Sequence, residues 1–140
     1  MQISANLMKR CFIAFLCVFT TSLSAQNYPT QPIKIVVGFS PGGVPDIAAR
    51  IIGQHMSENW KQPVVAENKL GAGSNIAAQF VANAPSDGYT LLSISSAFAI
   101  SPAIYPSLAF DPTKDFSGIT LTATGPALVL ISPNLKVSNI

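Results

Sequence analysis

The sequence predicts an α/β fold with a mainly parallel sheet and helices on both faces. Short β-branched runs alternate with helix-like runs, and glycine-rich turns lie between them. The order along the chain is strand, helix, strand, helix, strand, helix, followed by two more strands. An alternating order of this kind favours a parallel sheet covered by its connecting helices.

The first 25 residues precede this pattern and predict a signal peptide. Lys9 and Arg10 give a positive start, and the apolar run at 11–21 (CFIAFLCVFTT) is too short to span a membrane as a helix. Small residues follow at 22–25, so cleavage is expected near Ala25, with a cut after Ser24 as the alternative because Leu23 suits the first position imperfectly. A buried N-terminal helix and a membrane anchor are the alternatives, but the order of charge, apolar run and small residues favours export.

Removing residues 1–25 changes the composition that matters for function. Both cysteines lie in that segment, so residues 26–140 have no thiol chemistry and need a hydrophobic core rather than disulfides. Lys9 and Arg10 are also removed with this segment. In residues 26–140 the lysines and arginines balance the acidic residues, so the net charge of that part is near zero. A nucleic-acid role therefore finds no basic patch. With a single histidine and no cysteine, we predict no metal site and no cofactor.

The first predicted unit is a strand, a turn and a helix. Residues 32–39 (PIKIVVGF) predict a buried strand, and residues 44–60 (VPDIAARIIGQHMSENW) have apolar residues at helical spacing. Pro45 suits the first helical turn, where its missing N–H is not needed. Asp46 complements the helix dipole there and is spaced to pair with Arg50.

The later units follow the same order. The second unit has a strand at 63–68 (PVVAEN), a glycine turn at 71–74 (GAGS) and a helix at 75–84 (NIAAQFVANA). After a turn at 85–88 come a strand at 89–95 (YTLLSIS) and a segment at 96–105 (SAFAISPAIY), interpreted as a short helix broken at Pro102. A loop is predicted at 110–116 (FDPTKDF), and two strands at 118–124 (GITLTAT) and 127–132 (ALVLIS).

The turn after the first strand matches a hydrolase pattern. Residues 38–42 fit the G-x-S-x-G elbow with Ser40 as nucleophile, but such an elbow needs a histidine later in the chain. The only histidine, His55, belongs to the helix that begins immediately afterwards, and Pro41 cannot donate the N–H that an oxyanion requires. A secreted serine hydrolase is therefore the weaker alternative. The dinucleotide and P-loop glycine patterns are absent.

Anion binding by backbone explains the two glycine turns better. Each lies between the carboxyl end of a strand and a helix start, the edge where open α/β sheets bind ligands. Glycine allows close approach to the backbone, and the first helical N–H groups lack partners and attract anions. Two neighbouring helix starts could hold a carboxylate without an arginine. The alternative is that the glycines only form tight turns, that Asp46 caps the first helix, and that Asn75 lines the site or caps the second helix.

Several motifs along the chain form a specific combination. They are a start like Tyr28-Pro29…Pro32-Ile33, then Phe39…Gly42-Gly43…Asp46…Ala49-Arg50, then Gln62-Pro63-Val64-Val65…Glu67-Asn68…Gly71-Ala72-Gly73…Asn75-Ile76, then Ala84-Pro85…Asp87-Gly88-Tyr89-Thr90-Leu91-Leu92, and finally Asp111-Pro112…Asp115-Phe116. Together they resemble the Bug-type solute-binding receptors of tripartite tricarboxylate transporters. The resemblance runs from about Tyr28 to the last residue. Ser40-Pro41, Val44-Pro45 and Ser74 depart from residues frequent in relatives.

The resemblance implies a periplasmic-binding-protein-like (type II) lobe, with residues 26–140 as the first part of a bilobal domain whose second lobe is missing. It implies a periplasmic, monomeric receptor, not an enzyme, that captures a small di- or tricarboxylate or a related organic acid for membrane transporter subunits. A ligand-sensing receptor for a signalling partner is the alternative. The implied ligand-binding residues are Phe39, Ser40, Pro41, Gly42, Gly43, Asp46, Gly71, Ala72, Gly73, Ser74 and Asn75, with Ser95 and Ser96 as weaker candidates.

Overall fold

The computed structural model describes residues 28–125, 128, 130–132 and 134, so the predicted signal peptide lies outside the described residues. The strands are β1 (Ile33–Val37), β2 (Val64–Asn68) and β3 (Thr90–Ser93). The helices are α1 (Val44–Trp60), α2 (Asn75–Ala82) and α3 (Ala97–Ile104), and a 3₁₀ turn at Ala72–Ser74 precedes α2. None of these described helices combines the length and apolarity needed to cross a bilayer.

The three strands form one parallel sheet in the order β2-β1-β3. The register pairs Val37, the last residue of β1, with Asn68 on one side and with Ser93 on the other. The carboxyl ends of all three strands therefore meet at one edge, with the end of β1 in the centre. The predicted parallel sheet is confirmed.

Helices cover both faces of the sheet, as predicted. On one face, Ile35 and Val37 of β1 pack in a buried cluster with Ala49 of α1. On the other face, β1 presents Val36, which is fully buried, and Lys34, whose ammonium lies 5.7 Å from the centre of the Phe80 ring of α2. Successive strand residues point to opposite faces, so one short strand supplies both halves of the core.

The third helix is continuous, and the predicted break at Pro102 is wrong. Pro102 lies inside α3, which runs from Ala97 to Ile104. The proline removes one backbone donor from a helix of only two turns. The last turn is held instead by the Ser101 hydroxyl, which donates to the Ala97 carbonyl at 2.9 Å, and by the Tyr105 N–H, which donates to the Ser101 carbonyl at 2.9 Å.

The predicted loop at 110–116 is confirmed and lies against α3. Phe98 of α3 stacks on Phe110 with ring centroids 5.9 Å apart and meets Phe116 edge-on at 5.1 Å. Within the loop, the Lys114 ammonium and the Thr113 side chain and N–H donate to the Asp111 carboxylate. These aromatic contacts hold α3 against the loop, and so help to position the residues at the two ends of the helix.

The strand predicted at 118–124 is wrong. These residues form no strand, and Ile119 and Leu121 are exposed. Alternating apolar residues indicate which face of a strand is apolar, but a strand also needs a neighbour to complete its backbone hydrogen bonds. No described segment lies beside this one as a partner. The strand predicted at 127–132 falls partly outside the described residues. The residues of this range that are described, 128 and 130–132, are not in a strand.

Candidate functional site

Three strand-to-helix turns meet at the carboxyl edge of the sheet. We name them the first turn (residues 38–43), the second turn (residues 69–74) and the third turn (residues 94–96). The strand order places the first turn between the other two. Hydrogen bonds at the strand ends tie two of these turns to the neighbouring strand: the Lys69 N–H of the second turn donates to the Val37 carbonyl of β1 at 2.9 Å, and the Gly38 N–H of the first turn donates to the Ser93 carbonyl of β3 at 3.1 Å.

Asp46 supports the first turn from below. Its side chain is buried, and its carboxylate accepts the Gly42 N–H at 2.9 Å, the Arg50 Nη2 at 2.9 Å and the Asn68 Nδ2 at 2.8 Å. The Arg50 guanidinium, followed by the donors from Gly42 and Asn68, holds the pKa of this carboxyl well below its usual range. The predicted pairing with Arg50 is confirmed.

The helix cap expected from Asp46 takes a different form. The N-cap residue of α1 is Gly43, and Asp46 lies three residues later in the first helical turn. Its side chain reaches back to the N–H of Gly42, one residue before the N-cap, whereas the acidic residue of a capping box accepts the N–H of the N-cap residue itself. Asp46 thus satisfies a donor of the turn instead of occupying the cap position. Contact between Asp46 and a ligand stays a prediction, and the described contacts of its carboxylate are all internal.

Asn68 and Ser93 are site residues that the sequence reasoning missed. The Asn68 amide donates to the Phe39 carbonyl at 2.9 Å as well as to Asp46, and its oxygen accepts Arg50 Nη2 at 3.0 Å. The Ser93 hydroxyl donates to the Pro45 carbonyl at 2.9 Å. Both are the last residues of their strands and pair with Val37, so strand register brings them to the first turn.

Several backbone donors at this edge have no acceptor among the described residues. They are the N–H groups of Phe39, Ser40 and Val44 at the first turn and those of Ala72 and Gly73 at the second turn. Phe39 and Ser40 are exposed, as are Pro41 and Gly42. Donors of this kind at the start of a helix attract an anion.

The second turn has a run of left-handed backbone conformations. Gly71, Ala72, Gly73 and Ser74 have φ angles of 127°, 45°, 62° and 79°. Ser74 is buried, and its hydroxyl donates to the carbonyl of Gly38. The serine that the sequence singled out thus adopts a conformation typical of glycine and joins the second turn to the end of β1.

Asn75 is the first residue of α2. The cap role considered for it is wrong, because the N-cap position of α2 belongs to Ser74. The Asn75 side chain is buried, and neither its Nδ2 nor its Oδ1 has a hydrogen-bond partner within the described part of the chain. Buried amides are normally satisfied by protein or ordered water, so this group indicates a polar partner at the second turn. Its role as lining of the site stays a prediction.

The third turn contains the weaker candidates, Ser95 and Ser96. Ser96 is the N-cap residue of α3 and forms no side-chain cap bond. The Phe98 N–H donates to the Ser95 carbonyl at 3.1 Å, and the Ala99 N–H donates to the Ser96 carbonyl at 3.1 Å. The fold places both serines beside the first turn, and a ligand contact from them stays a prediction.

Gly73 lies against Tyr105, which follows α3. A Cβ added at Gly73 would be 3.2 Å from the Tyr105 hydroxyl, and Gly73 has a φ of 62°. Changing Gly73 to alanine is expected to lower the free energy of unfolding by about 1–3 kcal/mol, because a side chain strains a left-handed residue. Urea denaturation measures this. The control is Gly118→Ala, where no atom lies within 4 Å of the new Cβ. Equal effects of the two changes would contradict the prediction.

A cavity of about 520 Å³ lies elsewhere. It is lined by residues at the starts of β1 and β3 and by α2, including Lys34, Phe80 and Thr90, and by no residue of the three turns. In the described residues, no three His, Cys, Asp or Glu side chains are grouped so that they could hold a metal ion. The candidate site is therefore the open surface of the turns.

Comparisons with known proteins agree with this architecture. The family described as "Tripartite tricarboxylate transporter family receptor" matches residues 48–140. A curated relative from Pseudomonas sp. (strain P51), "UPF0065 protein in tcbD-tcbE intergenic region", is 37% identical over 97% of this chain and 42% of its own length. The chain thus spans less than half of the length of that relative.

Two solved structures are similar to the chain. The periplasmic binding protein BugD has a TM-score of 0.60 and 37% identity, covering 64% of this chain and 30% of that chain. MatC (Rpa3494) from Rhodopseudomonas palustris, solved with bound malate, has a TM-score of 0.58 and 38% identity, covering 68% of this chain and 33% of that chain.

Proposed function

Since the chain belongs to the tripartite tricarboxylate transporter receptor family, as its sequence motifs predicted, we propose that it forms the first lobe of a receptor that captures a small carboxylic acid. Residues 1–25 direct export, residues 26–140 begin a bilobal domain, and the receptor works in the periplasm. It acts as a monomer that closes its lobes on the acid and delivers it to membrane transporter subunits.

The observation that carries this proposal is the set of unpaired backbone donors at the first and second turns. The N–H groups of Phe39, Ser40 and Val44 belong to a turn at the same edge of the sheet as those of Ala72 and Gly73. An anion held by such donors needs no cationic side chain, since helix starts carry partial positive charge. Malate, bound by the similar MatC, is an acid of the class we propose.

Two cations lie near these donors, and both are engaged by other side chains. The Lys69 ammonium, at the start of the second turn, lies 2.8 Å from the Glu67 carboxylate. The Arg50 guanidinium, on the helix that follows the first turn, is engaged below that turn. It donates to Asp46 through Nε and Nη2 and to Asn68 through Nη2. In the proposed mechanism Asp46 and Arg50 act as positioning residues, which hold the Gly42 backbone in place. The first and second turns, with Pro41, Gly43, Gly71, Ser74 and Asn75, surround the ligand, and Ser95 and Ser96 border it.

A thermal-shift screen of the full-length protein tests the proposal. Malate, succinate, adipate, citrate and benzoate are the probes, and the acid that fits is expected to raise the melting temperature. An acid present at 100 times its Kd stabilises the folded state by about 2.7 kcal/mol. No shift with any acid, together with a shift caused by a neutral sugar or an amino acid amide, would contradict a carboxylate receptor.

A charge placed at the first turn tests the location. Ser40 is exposed, so Ser40→Glu is expected to fold normally and to weaken binding of the fitting acid about 10-fold by repulsion. Thr120→Glu adds the same charge at an exposed position far along the chain and is expected to leave Kd unchanged. Equal affinity for both variants would contradict the site. Ser40→Ala is expected to leave binding of the fitting acid unchanged. This result would count against the serine hydrolase alternative, in which Ser40 is the nucleophile.

A further inference from the structure

The end of α3 brings Tyr105 to the second turn in a fixed position. The Tyr105 N–H donates to the carbonyl of Ser101, which is itself buried. Pro106 follows and restricts Tyr105 to extended backbone, in agreement with its φ of −102° and ψ of 118°. The direction of the Tyr105 Cα–Cβ bond is therefore set by the end of the helix.

Only the tip of the Tyr105 ring approaches the turn. From a Cβ built on Gly73, the hydroxyl oxygen is 3.2 Å away, and the nearest ring carbons, Cε2 and Cζ, are 3.8 and 3.9 Å away. The polar end of the side chain thus lies beside the backbone of Gly73, whose N–H has no acceptor among the described residues.

The three tyrosines of the chain differ in what their hydroxyls do. The Tyr28 hydroxyl donates to the Gly88 carbonyl at 2.7 Å, and the Tyr89 hydroxyl accepts the Thr30 N–H at 2.9 Å. The Tyr105 hydroxyl makes no hydrogen bond within the described residues, although its side chain is half-buried. Tyrosine hydroxyls in such surroundings usually have a partner.

We propose that the Tyr105 hydroxyl donates a hydrogen bond to a carboxylate oxygen of the ligand at the second turn. The inference rests on the proposed function and adds to it a specificity-determining residue. A phenol is a neutral O–H donor, and a hydrogen bond to an ionised acceptor is stronger than one between neutral groups. Together with the N–H groups of Ala72 and Gly73, it surrounds one oxygen with donors from two separate segments of the fold.

Isothermal titration of the full-length protein tests this residue, with malate, succinate and adipate as probes. Tyr105→Phe removes one oxygen and is expected to weaken the best-bound acid about 3- to 10-fold, as loss of one hydrogen bond does. Its melting temperature without ligand is expected to equal that of the wild type, since the hydroxyl has no internal partner. The matched control, Tyr28→Phe, removes a hydroxyl that binds Gly88 near the opposite edge of the sheet, and is expected to leave Kd unchanged.

The outcomes separate this inference from the proposed function. A wild type that binds an acid and a Tyr105→Phe variant that binds it equally well would overturn the inference alone. A melting temperature that falls in Tyr105→Phe without ligand would also overturn it, because the hydroxyl would then serve the fold. A wild type that binds none of the five acids of the thermal-shift screen, and that binds a neutral sugar or an amino acid amide instead, would overturn both.

Discussion

Replacing Asp46 with asparagine is expected to lower the melting temperature by about 10 °C, since buried hydrogen-bonded networks give large mutational effects. The carboxylate accepts from Gly42, Arg50 and Asn68, and an amide in its place would point an NH₂ group at one of these donors. The Arg50 guanidinium would also lose its counter-ion. Differential scanning fluorimetry of the full-length protein measures the effect.

The same substitution is expected to weaken acid binding about 10-fold, because the first turn loses the group that holds the Gly42 N–H and the Asn68 amide. Glu58→Gln is the matched control, an exposed carboxylate on the same helix. Exposed substitutions usually change stability by less than about 0.5 kcal/mol. If Asp46→Asn and Glu58→Gln had the same melting temperature and the same affinity for the acid, Asp46 would have no positioning role.

The pH dependence of stability follows from the same carboxylate. Its pKa in the folded state is lowered, first by the Arg50 guanidinium, relative to an unfolded value of about 3.9. Its contribution to stability is therefore present above about pH 4 and is lost as the pH falls below that value. Asp111, whose pKa Lys114 also lowers, contributes with the same sign. The free energy of unfolding, measured by urea denaturation at several pH values between 7 and 3, is expected to fall more steeply with decreasing pH for the wild type than for Asp46→Asn.

Residues 26–140 produced alone are expected to associate at micromolar concentration. The reason is a set of apolar side chains among the described residues after 117: Ile119, Leu121, Leu128 and Leu130 are 77%, 79%, 78% and 85% exposed. The edge strands β2 and β3 also present unpaired backbone in the described sheet. Exposed apolar patches and open edges favour pairing with another chain.

Size-exclusion chromatography with light scattering measures this association. The triple change Ile119→Lys, Leu121→Lys and Leu130→Lys is expected to restore a monomer. Thr120→Lys, Thr122→Lys and Thr124→Lys add equal charge between the apolar positions and are expected to restore less, which separates charge from apolar surface. A monomeric wild-type fragment with one sharp urea transition would contradict the expectation.

The sequence predicted the regular elements well where local signals were strong. The helix at 44–60 has the predicted bounds, because Pro45 marks its start and apolar spacing continues to Trp60. The strands proved shorter by one to three residues than predicted. The prediction of a strand at 118–124 was wrong for a physical reason. Its alternating apolar residues are a property of one segment, whereas a strand forms only when a second segment pairs with it.

The site was predictable only in part. Glycine turns at strand ends are visible in the sequence, and so is the spacing of Asp46 and Arg50. Asn68 and Ser93 lie beside the first turn only because both pair with Val37. The local sequence pattern does not predict the register between strands that are distant along the chain. Tyr105 lies beside Gly73 because α3 continues through Pro102, where the sequence pattern predicts a break.

Asn68 has a mechanical consequence for recognition. Its side chain ties the Phe39 carbonyl to Asp46 and Arg50 while its own backbone begins the path to the second turn. These bonds connect the first turn to the strand end from which the second turn starts, so we expect the backbone donors of the two turns to keep their spacing when no ligand is bound. In the proposed site, the entropic cost of arranging these donors would then fall on folding and not on ligand binding, which favours affinity.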